Sequence, residues 1–352
     1  MFAPARVATA ASSGGASPSP APPRELHRAS LPPLPLECGV HLRNAHLAYH
    51  LDGELSPQRD NVVLVLHALT GSADAAGDWW SGLIGPGLAL DTRQWAVLSP
   101  NLLGSCYGST GPVPGDEFPA ITTRDMARAV GVLLERLGIP RIALVTGGSL
   151  GGMVALEFVA SFPGRADAAV VFAAPAVQGA AAIGWVHVQR EALRAGGEQG
   201  LALARQVAML TYRTAGGLEE RFGRRIAGDG AFDVQRWLRS HGDRLTQRFS
   251  RESYGTLLDA MDRHDVGRGR GGVGERLRAS GTALTGVGIP GDIAYPDHEV
   301  ASWTAAAGGS YRVLESVHGH DAFLLERDQV GEILREAIGR SGRGTDVVAE
   351  VA

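Results

Sequence analysis

Lysine is missing from this chain of 352 residues, in which all 33 basic side chains are arginine. Without an ε-amine there is no Schiff-base catalysis, no P-loop lysine and no Ser–Lys dyad. The acidic side chains number 37, so the net charge is −4, and no block of basic residues interrupts the sequence. We therefore expect no nucleic-acid partner.

Cysteine is scarce as well, with only Cys38 and Cys106, which lie far apart in the chain. This pair gives neither a disulfide framework nor the ligand spacing of a zinc site. We therefore expect no metal and a reducing, cytoplasmic location. No stretch of 18 uninterrupted apolar residues occurs, so we also expect no membrane partner.

Apolar runs alternate with helical patterns along much of the chain. Residues 122–138 repeat at helical spacing, with Thr123 as a candidate N-cap. Strands that alternate with helices predict an α/β fold with a mostly parallel central sheet. The runs with the continuous hydrophobicity of strands buried on both faces are NVVLVLHA (61–68), WAVLSPN (95–101), RIALVTG (141–147) and ADAAVVFAAP (166–175).

Changes of composition divide the chain into three parts. Residues 1–35 are rich in Ala, Ser, Pro and Gly, and no compact apolar core follows Arg6. They predict a disordered N-terminal tail rather than a secretory signal. Between 181 and 270 the strand pattern gives way to amphipathic helices, which predict a helical lid. The α/β core is expected at 36–180 and 271–345.

The sequence GGSLG at 147–151 follows a predicted strand directly and precedes an apolar helical pattern. A G-x-S-x-G between strand and helix is typical of the nucleophile elbow of the α/β-hydrolase fold. The tight turn leaves no room for side chains beside the serine and exposes its Oγ. We predict Ser149 as a nucleophile. The alternative is a glycine-rich turn whose serine only caps a helix.

A serine nucleophile needs a base and an orienting carboxylate, in the chain order Ser, Asp, His for this fold. Asp292 follows the predicted strand TALTGVGIP, at the sheet edge where sites of α/β proteins gather. Asp297 is the alternative carboxylate, but it lies past Pro296 and is placed to cap the next helix. For the base, both His318 and His320 follow the last predicted strand.

The oxyanion hole of this fold takes one backbone N–H from the residue after the nucleophile and one from an early strand–helix loop. Leu150 supplies the first, and we assign the second to Leu69 in HALTG (67–71). His67 is expected to pack or to orient this loop rather than to catalyse. Cys106 is expected near the site, but it lacks an elbow.

Several longer strings resemble one family, the homoserine O-acetyltransferases of the α/β-hydrolase superfamily. The resemblance extends from about residue 60 to 340. The strings are HALTG (67–71), GDWWSGLIGPGLALDT (77–92), NLLGSCYGSTGP (101–112), GGSLGGM (147–153), GLALARQVAMLTYR (200–213), LDAMDRHDVGRGRGG (258–272) and HGHDAF (318–323).

This resemblance implies an acyltransferase that moves acetyl from acetyl-CoA, a co-substrate, to L-homoserine through an acyl-Ser149 intermediate, with no cofactor. It implies Ser149, Asp292 and His320 as the triad. His320 is preferred over His318 because the family's histidine directly precedes an aspartate.

The same resemblance implies that Arg205 and Tyr212 bind homoserine, with Asp321 near its ammonium group. The two residues lie seven apart, which is two turns on one helix face. A zwitterionic amino acid needs a cation for its carboxylate and an anion for its amine. The resemblance further implies a homodimer that forms through the lid.

Two departures from the family bear on substrate identity. Most members carry an Asn-Glu pair where this chain has Val186-His187, and the loop after Pro112 is shorter here. Succinyl as the acyl group, serine as the acceptor, and hydrolysis with the same triad remain alternatives. A non-catalytic binding protein would be expected to have an incomplete triad.

Overall fold

The computed structural model describes residues 24–340. Its strands are β1 (His27–Ser30), β2 (Leu34–Pro35), β3 (His41–Leu42), β4 (His46–Asp52), β5 (Val62–Leu66), β6 (Ala96–Pro100), β7 (Ile142–Gly148), β8 (Ala166–Phe172), β9 (Ala283–Gly288) and β10 (Ser310–Val313). Its α-helices are α1 (Thr123–Arg136), α2 (Leu150–Ser161), α3 (Ala180–Ala195), α4 (Gly200–Thr211), α5 (Ala215–Phe222), α6 (Asp233–Thr246), α7 (Arg251–Asp262), α8 (Val273–Arg278), α9 (Asp297–Ala307), α10 (Ala322–Leu325) and α11 (Arg327–Arg340). A π-helical turn lies at Ala75–Trp79, and 3₁₀ turns lie at Gly197–Gln199 and Gly319–Asp321.

Eight strands form one sheet in the order β1-β4-β6-β5-β7-β8-β9-β10. All neighbours from β6 to β10 are parallel, whereas β4 and β1 complete one edge in antiparallel pairing. The prediction of an α/β fold with a mostly parallel central sheet is confirmed. This arrangement brings the carboxyl ends of β5, β7 and β9 to one edge of the sheet.

Strand β5 shows how the sheet separates two hydrophobic cores. Its five side chains are fully buried, and successive side chains point to opposite faces. Leu64 packs in the core that α1 and α2 cover. Val63 and Val65 pack in the other core, with Trp80 and the apolar side of α11. Burial on both faces explains why the sequence of this strand is continuously apolar.

The predicted tail of residues 1–35 is wrong at its carboxyl end. Strand β1 pairs with β4, and Leu31 and Leu34 are buried. β1 is a short edge strand with the sequence HRAS, and such a strand need not carry an apolar pattern. Residues 1–23 of the predicted tail and 341–345 of the predicted core lie outside the described residues.

The N-cap of α1 is one residue earlier than predicted. Thr122 caps the helix: its hydroxyl accepts from the backbone N–H of Asp125, and the Asp125 carboxylate accepts from the Thr122 N–H. Thr123 is instead the first helical residue and is buried, with its hydroxyl 2.9 Å from Nδ1 of His264. Two adjacent threonines offer the same capping group, so tertiary contacts decide between them.

Six helices, α3 to α8, occupy the chain between β8 and β9, and no strand of the sheet lies among them. We propose that α3 to α7 form the lid expected at 181–270. Within residues 24–340, no helix combines the length and the apolar composition needed to cross a membrane.

A buried cluster of charges holds α2 in place. The Glu157 carboxylate accepts from Arg124 Nε at 3.1 Å and from Arg270 Nη1 at 2.9 Å. Glu37 pairs with Arg124 at 2.8 Å and with Arg268 at 2.6 Å. The N-terminal segment, α1, α2 and the chain after α7 therefore meet at one point. Since α2 follows Ser149 directly, this cluster fixes the helix that carries the elbow.

Replacing Glu157 by Ala should destabilise the fold by about 3–5 kcal/mol, because the half-buried Arg270 guanidinium then lacks its counter-charge and the buried Arg124 loses one of two carboxylate partners. Urea unfolding would measure the loss. Glu191→Ala is the matched control on α3, where the ion pair with Arg194 is exposed and worth about 0–1 kcal/mol. Equal losses in the two variants would contradict the role of the cluster.

Candidate active site

Ser149 stands between the last residue of β7 and the first residue of α2. Its φ of 56° and ψ of −127° lie outside the regions that L residues favour. Such a conformation persists only where the surroundings impose it, and it is common at active sites. The Ser149 N–H donates to the carbonyl oxygen of Phe172 at 3.0 Å, which ties the turn to the end of β8.

Close backbone contacts explain the glycines around Ser149. A Cβ on Gly147 would lie 2.7 Å from the carbonyl oxygen of Leu66, and a Cβ on Gly151 would lie 2.1 Å from the same oxygen. Both distances are far below van der Waals contact. The first turn of α2 therefore rests directly on the end of β5, and the G-x-S-x-G spacing follows from this contact.

Two backbone N–H groups flank the cavity at Ser149. Leu150 is the first residue of α2, where the N–H has no intrahelical acceptor. Leu69 lines the same cavity as Ser149. In the part of the chain that the structure describes, neither N–H donates to a protein acceptor. The N-terminal end of α2 adds a partial positive charge, so this position suits an oxyanion.

The loop that carries Leu69 is held from two sides. Nδ1 of His67 lies 2.8 Å from the Ala68 carbonyl oxygen, and Nε2 accepts from the Leu102 N–H at 2.9 Å. This pattern requires a neutral ring with its proton on Nδ1, and burial lowers the pKa of His67 to about 4. The loop-orienting role predicted for His67 agrees with these contacts.

The chain between β8 and β9, here called the insertion, supplies an arginine that holds the same loop. Arg248 follows α6, and its Nη1 donates to the Thr70 carbonyl oxygen at 2.8 Å and to the Tyr107 hydroxyl at 2.7 Å. No sequence pattern predicts a role for Arg248, because an exposed arginine is not distinctive in an arginine-rich chain.

Asp292 and His320 form a buried hydrogen-bonded pair. Nδ1 of His320 donates to Oδ2 of Asp292 at 2.7 Å, and both side chains are buried. The other carboxylate oxygen of Asp292 accepts from the N–H groups of Ala294 at 2.8 Å and Tyr295 at 3.0 Å. Burial disfavours the charged ring, but the adjacent Asp292 carboxylate outweighs it and raises the pKa of His320 above 6.5.

The second ring nitrogen of His320, Nε2, is not used in the bond to Asp292. Among the described residues, Nε2 is buried and has no hydrogen-bond partner, so no bond to Ser149 Oγ is formed. Phe323 packs at 5.8 Å from the His320 ring centroid and also lies against Gly148. Tyr212, at 5.2 Å from the His320 ring, lines the cavity with Ser149. His320 and Ser149 therefore share neighbours, and in free enzymes hydrogen bonds between a base and a nucleophile are often long.

The rival residues lie elsewhere. Asp297 begins α9 in its first turn, with Pro296 as N-cap. His318 is exposed and its backbone carbonyl accepts from Arg213. Burial raises the pKa of the half-buried Cys106 thiol, which disfavours the reactive thiolate.

The residues predicted to bind homoserine cluster next to His320. The Arg205 guanidinium carbon lies 5.4 Å from the centroid of the Tyr212 ring. Burial raises the pKa of Tyr212 to about 12, so its hydroxyl is a hydrogen-bond donor at neutral pH. Arg213 pairs with the Asp321 carboxylate at 2.9 Å, and Asp321 is not among the residues that line the cavity at Ser149. No sequence pattern predicts this role of Arg213, although it directly follows Tyr212.

A small cavity, here called the serine cavity, opens at Ser149 with an empty volume of about 340 Å³. Val186, one of the two residues that depart from the family pattern, lies in its wall, whereas His187 is exposed. Within residues 24–340, no three His, Cys, Asp or Glu side chains gather as metal ligands. The cavity is lined by Leu69, Ser149, Ala182, Trp185, Val186, Gln189, Thr211, Tyr212, Leu258, Met261, Ala294 and Tyr295.

The sheet topology and the elbow define the α/β-hydrolase class. A family model described as the alpha/beta hydrolase fold matches residues 61–251. The solved structure of esterase E22 shares this fold with a TM-score of 0.81 at 18% identity, over 89% of this chain and 99% of that chain.

Within that class, two comparisons identify the family. A homoserine O-acetyltransferase of Thermus thermophilus is 45% identical to this chain over 339 aligned positions. The match covers 85% of this chain and 87% of the relative. The structure of homoserine o-acetyltransferase from Staphylococcus aureus matches with a TM-score of 0.79 and 29% identity, over 89% of this chain and 95% of that chain. The chain belongs to the homoserine O-acetyltransferase family, and the resemblance noted in its sequence is confirmed.

The pKa of His320 predicts the pH dependence of Ser149 acetylation. A base must be unprotonated, so the rate with p-nitrophenyl acetate should rise with pH through a pKa above 6.5. Asp292→Asn removes the charge that raises this pKa and leaves the burial that lowers it. The acid limb should then move to lower pH, and the rate should fall by about 10³- to 10⁴-fold. Stopped-flow release of p-nitrophenol measures both effects.

Asp297→Asn is the control for this experiment, because it makes the same chemical change in the first turn of α9. Its rate and pH profile should match those of the unmodified protein. A profile that shifts in the Asp297 variant and not in the Asp292 variant would reverse the assignment.

Proposed function

We propose that this protein is a homoserine O-acetyltransferase that moves acetyl from acetyl-CoA to the hydroxyl of L-homoserine by a ping-pong mechanism. The observation that supports the proposal is the Asp292–His320 hydrogen bond, which leaves the His320 Nε2 atom without a protein partner among residues 24–340. Membership of the family supports the choice of acyl transfer over hydrolysis.

The first half-reaction acylates the serine. Ser149 Oγ attacks the thioester carbonyl carbon while His320 Nε2 takes the hydroxyl proton. Asp292 holds the ring with its proton on Nδ1 and stabilises the imidazolium that forms. The N–H groups of Leu69 and Leu150 stabilise the tetrahedral oxyanion. The C–S bond then breaks, and the CoA thiolate leaves with the proton from Nε2.

The second half-reaction transfers the acetyl group. The homoserine hydroxyl gives its proton to His320 Nε2 and attacks the ester carbonyl carbon. The bond between that carbon and Ser149 Oγ then breaks, and Nε2 returns the proton to the leaving Oγ. Arg205 binds the acceptor carboxylate, and Tyr212 donates a further hydrogen bond. Asp321 binds the ammonium group and shares its charge between this group and Arg213.

Transfer must outcompete hydrolysis of the acyl-enzyme. The serine cavity is enclosed by helices of the insertion, through residues such as Val186 on α3 and Leu258 and Met261 on α7. Apolar walls exclude bulk water from the ester. This enclosure favours an acceptor that the site binds specifically over a passing water molecule.

We also propose that two copies pair through the lid. Apolar side chains are exposed on its helices, with Val188 on α3 and Leu203 and Leu210 on α4. Covering such a patch is a common reason for association between subunits.

Release of free CoA thiol by the purified protein tests the proposed reaction. Release from acetyl-CoA should depend on L-homoserine and should disappear in Ser149→Ala, because no acyl-enzyme can form. L-serine and succinyl-CoA serve as alternative substrates. Release at the same rate without any acceptor would identify a hydrolase, and faster turnover with L-serine or succinyl-CoA would correct the substrate.

Arg205→Met should raise the KM for L-homoserine by about tenfold or more, because a charge-assisted hydrogen bond to the carboxylate is lost. Initial rates at saturating acetyl-CoA measure this change. Arg194→Met removes an exposed arginine of α3 and should leave the KM unchanged. An unchanged KM in the Arg205 variant would exclude it from acceptor binding.

A further inference from the structure

A second cavity lies on the insertion next to the catalytic histidine. Its walls come from α5, α6 and the loop before His320, and its empty volume is about 800 Å³. We call it the α5–α6 cavity. It is lined by Arg213, Gly217, Leu218, Glu220, Arg221, Phe222, Trp237, Val317 and His318. This volume exceeds that of the serine cavity, and the mechanism above does not use it.

The α5–α6 cavity adjoins the serine cavity. Arg213 lines the former, and its chain neighbour Tyr212 lines the latter. His318 lines the α5–α6 cavity two residues before His320. Arg213 also donates to the His318 carbonyl oxygen at 3.2 Å. A ligand in this cavity therefore lies close to the acyl-transfer centre without occupying it.

Positive charge is concentrated around this cavity. Burial, together with the guanidinium groups of Arg205, Arg244, Arg213 and Arg221, lowers the pKa of His241 to about 4. Of these four arginines, only Arg213 has a carboxylate partner within 4.0 Å among residues 24–340. Glu220 contributes one carboxylate to the wall. Arg213 and Arg221 line the cavity itself, whereas Arg205 and Arg244 do not. These two guanidinium groups favour an anion such as a phosphate.

Aromatic rings lie beside these cations. Phe222 and Trp237 have ring centroids 5.3 Å apart, at an angle of 46°. The guanidinium carbon of Arg221 lies 5.1 Å from the first ring and 5.7 Å from the second. Trp237 is only partly buried, so an aromatic ligand has access to it. Arginine and aromatic faces together are the groups on which planar bases stack.

We propose that the α5–α6 cavity binds the adenosine 3′,5′-bisphosphate portion of the acyl-CoA donor, with its phosphates at Arg221 and Arg213 and its purine against Trp237. The proposal rests on the proposed function, which supplies acyl-CoA as the donor. The pantetheine arm then extends past Tyr212 towards Ser149. Homoserine lacks both a planar ring and a phosphate, so it gains nothing from this cavity.

The test compares acetyl-CoA with S-acetyl-pantetheine, which has the same thioester and arm but no nucleotide. Arg221→Gln and Trp237→Ala should each raise the KM for acetyl-CoA by about tenfold, with little change in kcat. Neither variant should change the KM for S-acetyl-pantetheine. Adenosine 3′,5′-bisphosphate should compete with acetyl-CoA in the unmodified protein and inhibit the Arg221 variant about tenfold more weakly.

Arg239→Gln is the matched control, because Arg239 is an exposed arginine of α6 outside the cavity wall. It should leave the KM values for both donors unchanged. If Arg239→Gln raised the KM for acetyl-CoA as much as Arg221→Gln does, the rise would reflect general surface charge, and the proposal would be overturned.

Two further outcomes are distinguishable. Equal KM values for both donors in the unmodified protein, or equal rises for both donors in the Arg221 and Trp237 variants, would overturn the nucleotide site while the acetyltransferase stands. No CoA release with L-homoserine in the unmodified protein would instead overturn the proposed function.

Discussion

The contact between the first turn of α2 and the end of β5 leaves no space for a side chain, and the site depends on it. With Gly151 against the carbonyl oxygen of Leu66, the turn between β7 and α2 can only be sharp. Ser149 is then held at a positive φ with its N–H bonded to β8. The helix N-terminus that follows also supplies the N–H of Leu150. One steric constraint thereby positions both the Ser149 side chain and the Leu150 N–H.

Two buried histidines in this site have opposite electrostatic environments. His67 has only backbone partners, so burial dominates and its ring stays neutral. His320 has a buried carboxylate beside it, which favours the charged ring and raises the pKa of His320 despite its burial. A neutral ring suits a residue that fixes the loop of Leu69. A ring whose charged form is stabilised by a carboxylate suits a general base, which must accept a proton.

The sequence predicted those parts of the site that depend on local geometry. The elbow at Ser149 and the order of Asp292 and His320 follow from a strand end and a short loop, which leave a recognisable pattern. Arg248 lies 178 residues from the carbonyl group of Thr70 that it binds, and no local pattern encodes such a contact. The pairing of Asp321 with Arg213 likewise forms only after the insertion packs on the core.

The same distinction applies to the fold. Central strands such as β5 are buried on both faces and are visible as apolar runs. β1 lies at the sheet edge, and its order comes from backbone pairing with β4 rather than from its side chains. The choice of Thr122 over Thr123 as N-cap depends on His264, which lies in the insertion. For the central strands and for α1, local sequence predicts where the element lies. For the edge strand β1 and for the exact N-cap of α1, tertiary contacts decide.

The arginine lining of the α5–α6 cavity has a chemical consequence for a protein that handles thioesters. An amine held close to an activated acyl group is a competing nucleophile, because a fraction of it is unprotonated and attacks the carbonyl carbon. A guanidinium group stays protonated and delocalised, so it binds an anionic acyl carrier without being acylated by it. Apart from histidine, all basic side chains of this chain are guanidinium groups. The chain therefore has no lysine ε-amine that an acyl donor could acylate.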